Sequence, residues 1–261
     1  MWTTLGIASI GLVAASAVMV LLWFVQRRTR NAGIVDAGWA LSIGALAVLA
    51  ALLSDGWSGR RLSIAAVMAI WGGRLGLYLL RDRVHGRPED GRYTELRRLW
   101  GARAEVKLFW FFQEQALAVV FFALPALVAS ANPRPFLAPL ELAALALWLL
   151  AFAGELTADR QLEQFKSEPS SRGRTCRAGL WRYSRHPNYF FEWLMWVAYA
   201  LFALASPWGW LAIACPVAML YLLFRVTGIP LTEAQALRSR GEDYRQYQQT
   251  TNAFFPWVPR S

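Results

Sequence analysis

Residues 182–196, RYSRHPNYFFEWLMW, decide how the rest of the chain is read. Their second half is apolar enough for lipid, yet the stretch opens on Arg182, Arg185, His186 and Asn188 and carries Glu192 inward. A purely structural membrane helix starts apolar, with at most a snorkelling cation. Pro187 suits the first turn of a helix, so the N-terminus of this one is flanked by Arg182 and Arg185. Unsatisfied N–H groups and the helix dipole favour anions at such a terminus, and arginines favour phosphate. Asn188, Glu192 and Trp196 recur every four residues and therefore share a face. An amide and a carboxylate one turn apart suit ribose hydroxyls or a carboxamide. The stretch reads as the place where a phosphorylated cofactor descends to membrane level. The plain alternative is a helix start with interfacial Arg and Tyr anchors.

The surrounding sequence supports a membrane setting. Across 261 residues, 56% are hydrophobic and 14 are Trp, too apolar for an ordinary soluble domain. Runs long enough to cross a bilayer fall near 4–24, 34–53, 62–80, 108–129, 137–155, 189–205 and 207–224. The expectation is an all-α integral membrane protein, a seven-helix bundle forming one domain over 1–261. Residues 1–24 lack a cationic start and a cleavage pattern, so they read as a retained first span. Of the 27 Lys and Arg, 23 fall on one set of alternating segments against 3 on the other, which places the N-terminus outside and the C-terminal tail in the cytoplasm. The net charge of +10 is thus mostly topology, and no soluble basic face exists for nucleic acid. Two distant cysteines exclude a disulfide framework, and two histidines exclude the usual zinc site.

Ionisable groups within spans are expensive and by default functional. Asp36 begins span two; Arg74, Tyr78 and Arg81 share a face of span three; Gln113 and Glu114 lie about two turns into span four. Glu155 and Asp159 end span five, and Arg225 ends span seven. All fall in the cytoplasmic half. A transporter would need polar groups at the midplane or through the full depth. The pattern describes a pocket open to the cytosol, served by the cytoplasmic segments 81–107 and 156–188 and the tail 225–261. No Rossmann fingerprint, Walker loop or nucleophile elbow is present.

Arg185-His186-Pro187-Asn188-Tyr189 with Glu192, the tail Gly241-Glu242-Asp243-Tyr244-x-x-Tyr247, Val35-Asp36-x-x-Trp39 and Glu89-Asp90-x-Arg92-Tyr93 together resemble the steroid 5α-reductase superfamily. The closest branch is that of the bacterial steroid-reductase-like membrane proteins, and the resemblance covers nearly the whole chain. It implies NADPH as cofactor and reduction of a carbon–carbon double bond conjugated to a ketone, as in a 3-oxo-Δ4 steroid. It implies cofactor contacts at Asn188, Glu192 and Trp196, and at Asp159 and Lys166, with Lys where the family often has Arg. Arg81, Arg92, Arg172, Arg174, Arg182 and Arg185 are the candidates for the phosphates. Tyr93, Tyr183, His186, Tyr189 and Tyr244 complete the cofactor set. Tyr78 of the Tyr-x-x-Arg pattern is implied as the group that polarises the carbonyl, backed by Asp36 or by Glu114. Trp39, Arg74 and Gln113 are the candidate substrate contacts, and no metal is implied. The implied setting is a bacterial inner membrane with the site open to the cytoplasm, lipid and an enone as partners, and a monomeric chain. Because Arg-His-Pro-x-Tyr also occurs in membrane methyltransferases such as isoprenylcysteine carboxyl methyltransferase, S-adenosylmethionine is the alternative cofactor. It carries no phosphates, so the loop arginines favour the dinucleotide.

Overall fold

The computed structural model describes residues 3–226 and 228–260, whose regular structure is all helical, with no β-strand among the described residues. Six helical segments are long and apolar enough to cross a membrane: Thr4–Thr29, Ile34–Leu53, Ser58–Val84, Gly91–Ser130, Pro139–Ser167 and Gly209–Arg240. The 18-residue helix Pro187–Leu204 is not among them, since Asn188, Glu192 and its aromatic run dilute the aliphatic content. The chain divides into two compact units, one running to Ala138 and including Phe202–Ala212, the other holding Pro139–Leu201 and the residues from Ile213 on.

In the first unit, α1 (Thr4–Thr29) begins where the Thr3 hydroxyl accepts the Gly6 N–H at 3.1 Å. It ends at Arg30, which takes the left-handed conformation at φ 54°. The Asn31 side chain then accepts the Gly33 N–H at 3.0 Å and leads into α2 (Ile34–Leu53). From α2 the chain turns into α3 (Ser58–Leu79). These two helices approach so closely that a Cβ on Gly72 would stand 2.5 Å from the Ala40 carbonyl oxygen. Lipid tails are as apolar as leucine, so small residues and close packing, rather than exclusion from water, select helix partners at this depth.

Arg60 and Arg61, on the sparse side of the charge distribution, have structural work. The Arg60 guanidinium donates to the carbonyls of Asn132, Arg134 and Phe136 at 3.1, 2.7 and 2.9 Å. Arg61 donates to the carbonyls of Ala51 and Ser54. A π-helical turn, Leu80–Val84, follows α3. Next come α4 (Gly91–Trp100), α5 (Ala104–Phe122) and α6 (Leu124–Ser130). The span expected at 108–129 is therefore interrupted at Ala123, where Pro125 cannot supply an N–H to a continuing helix. Segment 81–107 is no open loop, because α4 and the start of α5 fill most of it.

The second unit begins with α7 (Pro139–Ser167), which runs twelve residues past the span expected to end at 155. After two short 3₁₀ turns comes α8 (Pro187–Leu204), with Pro187 opening its first turn as its fixed φ predicts. The stretch expected as a seventh span over 207–224 is a 3₁₀ turn at Gly209–Ile213, then α9 (Ala214–Tyr221), then a π turn at Leu222–Val226. The tail adds α10 (Ile229–Arg240) and α11 (Glu242–Thr250), joined at Gly241 with φ 55° and packed through Ala236, Tyr244 and Tyr247.

Candidate functional site

Each unit holds clusters of polar residues. In the first, Asp36 stands in the opening turn of α2 and accepts from two directions. The Tyr93 hydroxyl donates to Oδ1 at 2.6 Å, and the Arg92 guanidinium donates to Oδ2 at 2.8 Å. Arg92 also forks onto Asp90 at 3.1 Å, and Asp90 caps α4 through the Arg92 N–H at 3.0 Å. Burial pushes the Asp90 carboxyl upward, but the Arg92 hydrogen bonds and the Arg92 and Arg83 charges outweigh it and hold the group below its ordinary value. Beside it, Glu89 accepts the Ala32 N–H at 2.8 Å and pairs with Arg97 at 3.0 Å. Arg97 reaches on to Glu105 at 2.8 Å and to the Gln26 carbonyl at 2.5 Å. This network ties the α1–α2 turn to α4 and the base of α5.

The two motifs singled out around Asp36 and Arg92-Tyr93 are thus one cluster, although Tyr93 lies 57 residues from Asp36 in sequence. The Tyr93 phenol sits on Asp36, and Tyr78 lies on α3 and is half exposed. Arg81 is exposed, and Arg74 is half-buried on the same helix. On α5, Gln113 turns inward, where its carbonyl accepts the Ser16 hydroxyl at 2.6 Å, while Glu114 is exposed. Trp39 packs edge-on against Trp71 and Phe122.

The second unit builds the entrance of α8. Asn188 donates to Asp159 of α7 at 3.4 Å, bringing together two residues implied as cofactor contacts. One turn along, Glu192 accepts the Trp196 indole N–H at 2.9 Å. Trp196 is fully buried and packs against Tyr199, whose hydroxyl accepts the Trp148 indole N–H at 2.8 Å. Trp196 is therefore core that orients Glu192. Tyr189 stacks on the His186 ring and reaches Thr232 at 3.1 Å.

Arg185 is an internal tie. Its guanidinium holds Glu233 of α10 at 2.7 Å and the carbonyls of Gln248 and Thr251 at 3.1 and 2.6 Å. The His186 ring lies 3.2 Å from the same Glu233 oxygen, and Gln248 donates to its other oxygen at 2.8 Å. Burial lowers the His186 pKa, and the bond to Glu233 offsets this only in part. The Tyr247 hydroxyl donates to the carbonyls of Trp181 and Ser184. Burial raises the pKa of both Tyr244 and Tyr247. Glu233, Gln248 and Tyr199 carry no local sequence signal, since each sits on an ordinary helix and gains its role through a distant partner.

Other basic residues of this unit behave differently. Lys166, Arg172, Arg174 and Arg182 are exposed and make no ion pair among the described residues. The Thr175 hydroxyl beside them is buried without a hydrogen-bond partner. Exposed guanidinium groups without an ion pair and a buried hydroxyl without a partner are the groups of this segment that could hold an anionic, hydroxyl-rich ligand. Tyr183 instead lines a shallow hollow of about 230 Å³ with Pro256, Trp257 and Val258, too small and open for a sterol-sized molecule.

Comparison with known proteins adds the family. The profile of a family described as "protein of unknown function (DUF1295)" matches residues 22–251. A Schizosaccharomyces pombe protein described as uncharacterized is 28% identical over 281 residues, covering 95% of this chain and 79% of its own length. No solved structure matches. Since the profile takes in the Asp36 cluster, the α8 entrance and the Glu233 tie alike, the chain belongs to the DUF1295 family.

Proposed function

We propose that the protein is an NADPH-dependent membrane reductase that saturates the carbon–carbon double bond of a lipidic enone, a 3-oxo-Δ4 steroid being the representative substrate. The observation that carries this reading is the α8 entrance. Asn188 is held on Asp159, Glu192 lies one turn further along, and Arg172, Arg174 and Arg182 stand unpaired on the segment leading in. Those arginines and Thr175 would take the phosphates, and Asn188 and Glu192 the ribose and carboxamide. Bound NADPH supplies a hydride for the β carbon of the enone. The chain's own task is to hold the negative charge that develops on the ketone oxygen and to return a proton to the α carbon. Tyr78 is the phenol assigned to that oxygen. Asp36, already hydrogen-bonded by Tyr93 and Arg92, or Glu114 would be the carboxylate that supports it. The resemblance to steroid 5α-reductases supplies the reaction class, and the one-sided distribution of polar residues supplies the topology. In that topology α8 completes seven spans, the N-terminus is outside, and the site opens to the cytoplasm of a bacterial inner membrane.

The deciding measurement is the melting temperature of the purified protein with NADPH, NADH or S-adenosylmethionine, followed by NADPH oxidation in the presence of a 3-oxo-Δ4 steroid. A ligand at 100 times its dissociation constant stabilises by about 2.7 kcal/mol. Stabilisation by NADPH with steroid-dependent oxidation is expected. Stabilisation by S-adenosylmethionine alone would replace the reductase with a methyltransferase.

A further inference from the structure

Two N–H donors carried by α2 and α5 in the first unit are buried with nothing to bond among the described residues. The indole Nε1 of Trp39 and the amide Nε2 of Gln113 are both shut off from solvent and have no hydrogen-bond partner among the described residues. Neither is free to swing elsewhere. The Trp39 ring is held edge-on by Trp71 at 5.9 Å and Phe122 at 5.4 Å. The Gln113 carbonyl accepts the Ser16 hydroxyl at 2.6 Å, which leaves the amide nitrogen as the outstanding end. The helices that carry them, α2 and α5, pack on one another.

At membrane depth no water stands in for a missing acceptor, and folded chains keep few buried donors unsatisfied. The other orphaned polar atoms of this unit have simpler settings. Arg61 Nε belongs to a guanidinium already bonded to two carbonyls, and the Ser130 hydroxyl sits at a helix end and rotates freely. Trp39 and Gln113 are different, because each donor is held by its neighbours and meets no acceptor among the described residues. A ligand able to enter an apolar bundle would supply the missing acceptor.

We propose that Trp39 Nε1 and Gln113 Nε2 are hydrogen-bond donors to a carbonyl-type oxygen of a lipophilic ligand bound in the first unit. Identifying that ligand with the enone substrate rests on the reductase reading; the existence of an acceptor site does not. A bundle that offers donors and no carboxylate at these two positions selects ketones over alcohols or hydrocarbons of the same shape.

The test compares two steroids that differ only in the oxygen, androst-4-en-3-one and androst-4-ene, by their dissociation constants for the full-length protein. Wild type should prefer the ketone, by about tenfold for each donor that reaches it. Trp39→Phe and Gln113→Leu should each lose about tenfold of that preference while binding androst-4-ene as before. Without ligand, Gln113→Leu combined with Ser16→Ala should melt no lower than wild type, because the pair removes the unsatisfied donor together with the hydroxyl that its carbonyl accepts. Equal binding of the two steroids by wild type, no binding of either, or variants that weaken both in parallel would overturn the inference. NADPH oxidation by wild type is read separately. If it is absent while the ketone preference holds and the variants abolish it, the reductase reading falls and the site stands. If oxidation proceeds and the variants leave the preference intact, the site falls and the reductase reading stands.

Discussion

Two arginine-rich segments look alike in sequence and differ in how many of their arginines meet an acid. In residues 81–107 four of the seven arginines meet carboxylates: Arg83 with Asp90, Arg92 with Asp36 and Asp90, Arg97 with Glu89 and Glu105, and Arg98 with Glu95. In residues 156–188 only Arg177 and Arg185 do so, while Arg172, Arg174 and Arg182 are exposed and unpaired. Paired charge at a helix base fixes architecture, because removing either partner strands the other in a poorly solvated place. Unpaired charge adds little to the fold and remains available to a ligand. Arginine density alone does not distinguish these uses; the presence of an acid within reach does.

The contrast can be broken at its strongest point first. Arg185→Ala should destabilise the second unit by about 3 kcal/mol, because Glu233 and two carbonyls lose their donor together. Thermal unfolding in detergent measures this, and Arg185→Lys should recover only part, since lysine lacks the planar fork. A change within noise for Arg185→Ala would move Arg185 back among the candidate phosphate ligands. Asp36→Ala should cost about 2 kcal/mol by stranding Tyr93 and Arg92. An Asp36 variant of full stability would show that the cluster exists for chemistry and not for structure.

The paired substitution Arg172→Gln with Arg174→Gln should leave stability within about 0.5 kcal/mol. It should weaken NADPH about tenfold and flatten the salt dependence of binding. Loss of stability without loss of affinity would invert the assignment of the two segments. The smallest effect is one of pH. The buried His186 is held below its ordinary value of 6.5, so as pH falls the unfolded chain takes up this proton before the folded one does. Its contribution is complete above pH 6.5 and is lost as pH drops from there toward the lowered value. Melts on either side of that pH should show the slope in wild type and a shallower one in His186→Gln.

Hydropathy locates lipid-level residues well, and α2 occupies the same 34–53 that the sequence marks. It does not locate helix ends. The polar residues 156–167 contain no breaker, so α7 continues through them to Ser167 after the apolar run has stopped. Asp90-Gly91 suggests a turn, yet Asp90 is the cap of α4, and the same short polar side chain suits either use. The partner of Asp36 was beyond reach for a different reason. Periodicity tells which face a residue occupies, not which distant residue meets it, and Tyr93 of α4 meets Asp36 of α2 across 57 positions of sequence. Arg185 shows the same limit, since a cation beside a helix start signals an anion without saying that Glu233 supplies it.

The close approach of α2 and α3 at Gly72 and Ala40 has a consequence for how the protein can be handled. A contact made by backbone atoms freezes no rotamers when it forms and does not depend on the length of the surrounding acyl chains. The α2–α3 pair should therefore survive extraction and bilayers of different thickness better than contacts made through long side chains. It offers a rigid frame for attaching spectroscopic labels against which movement of the remaining helices can be measured.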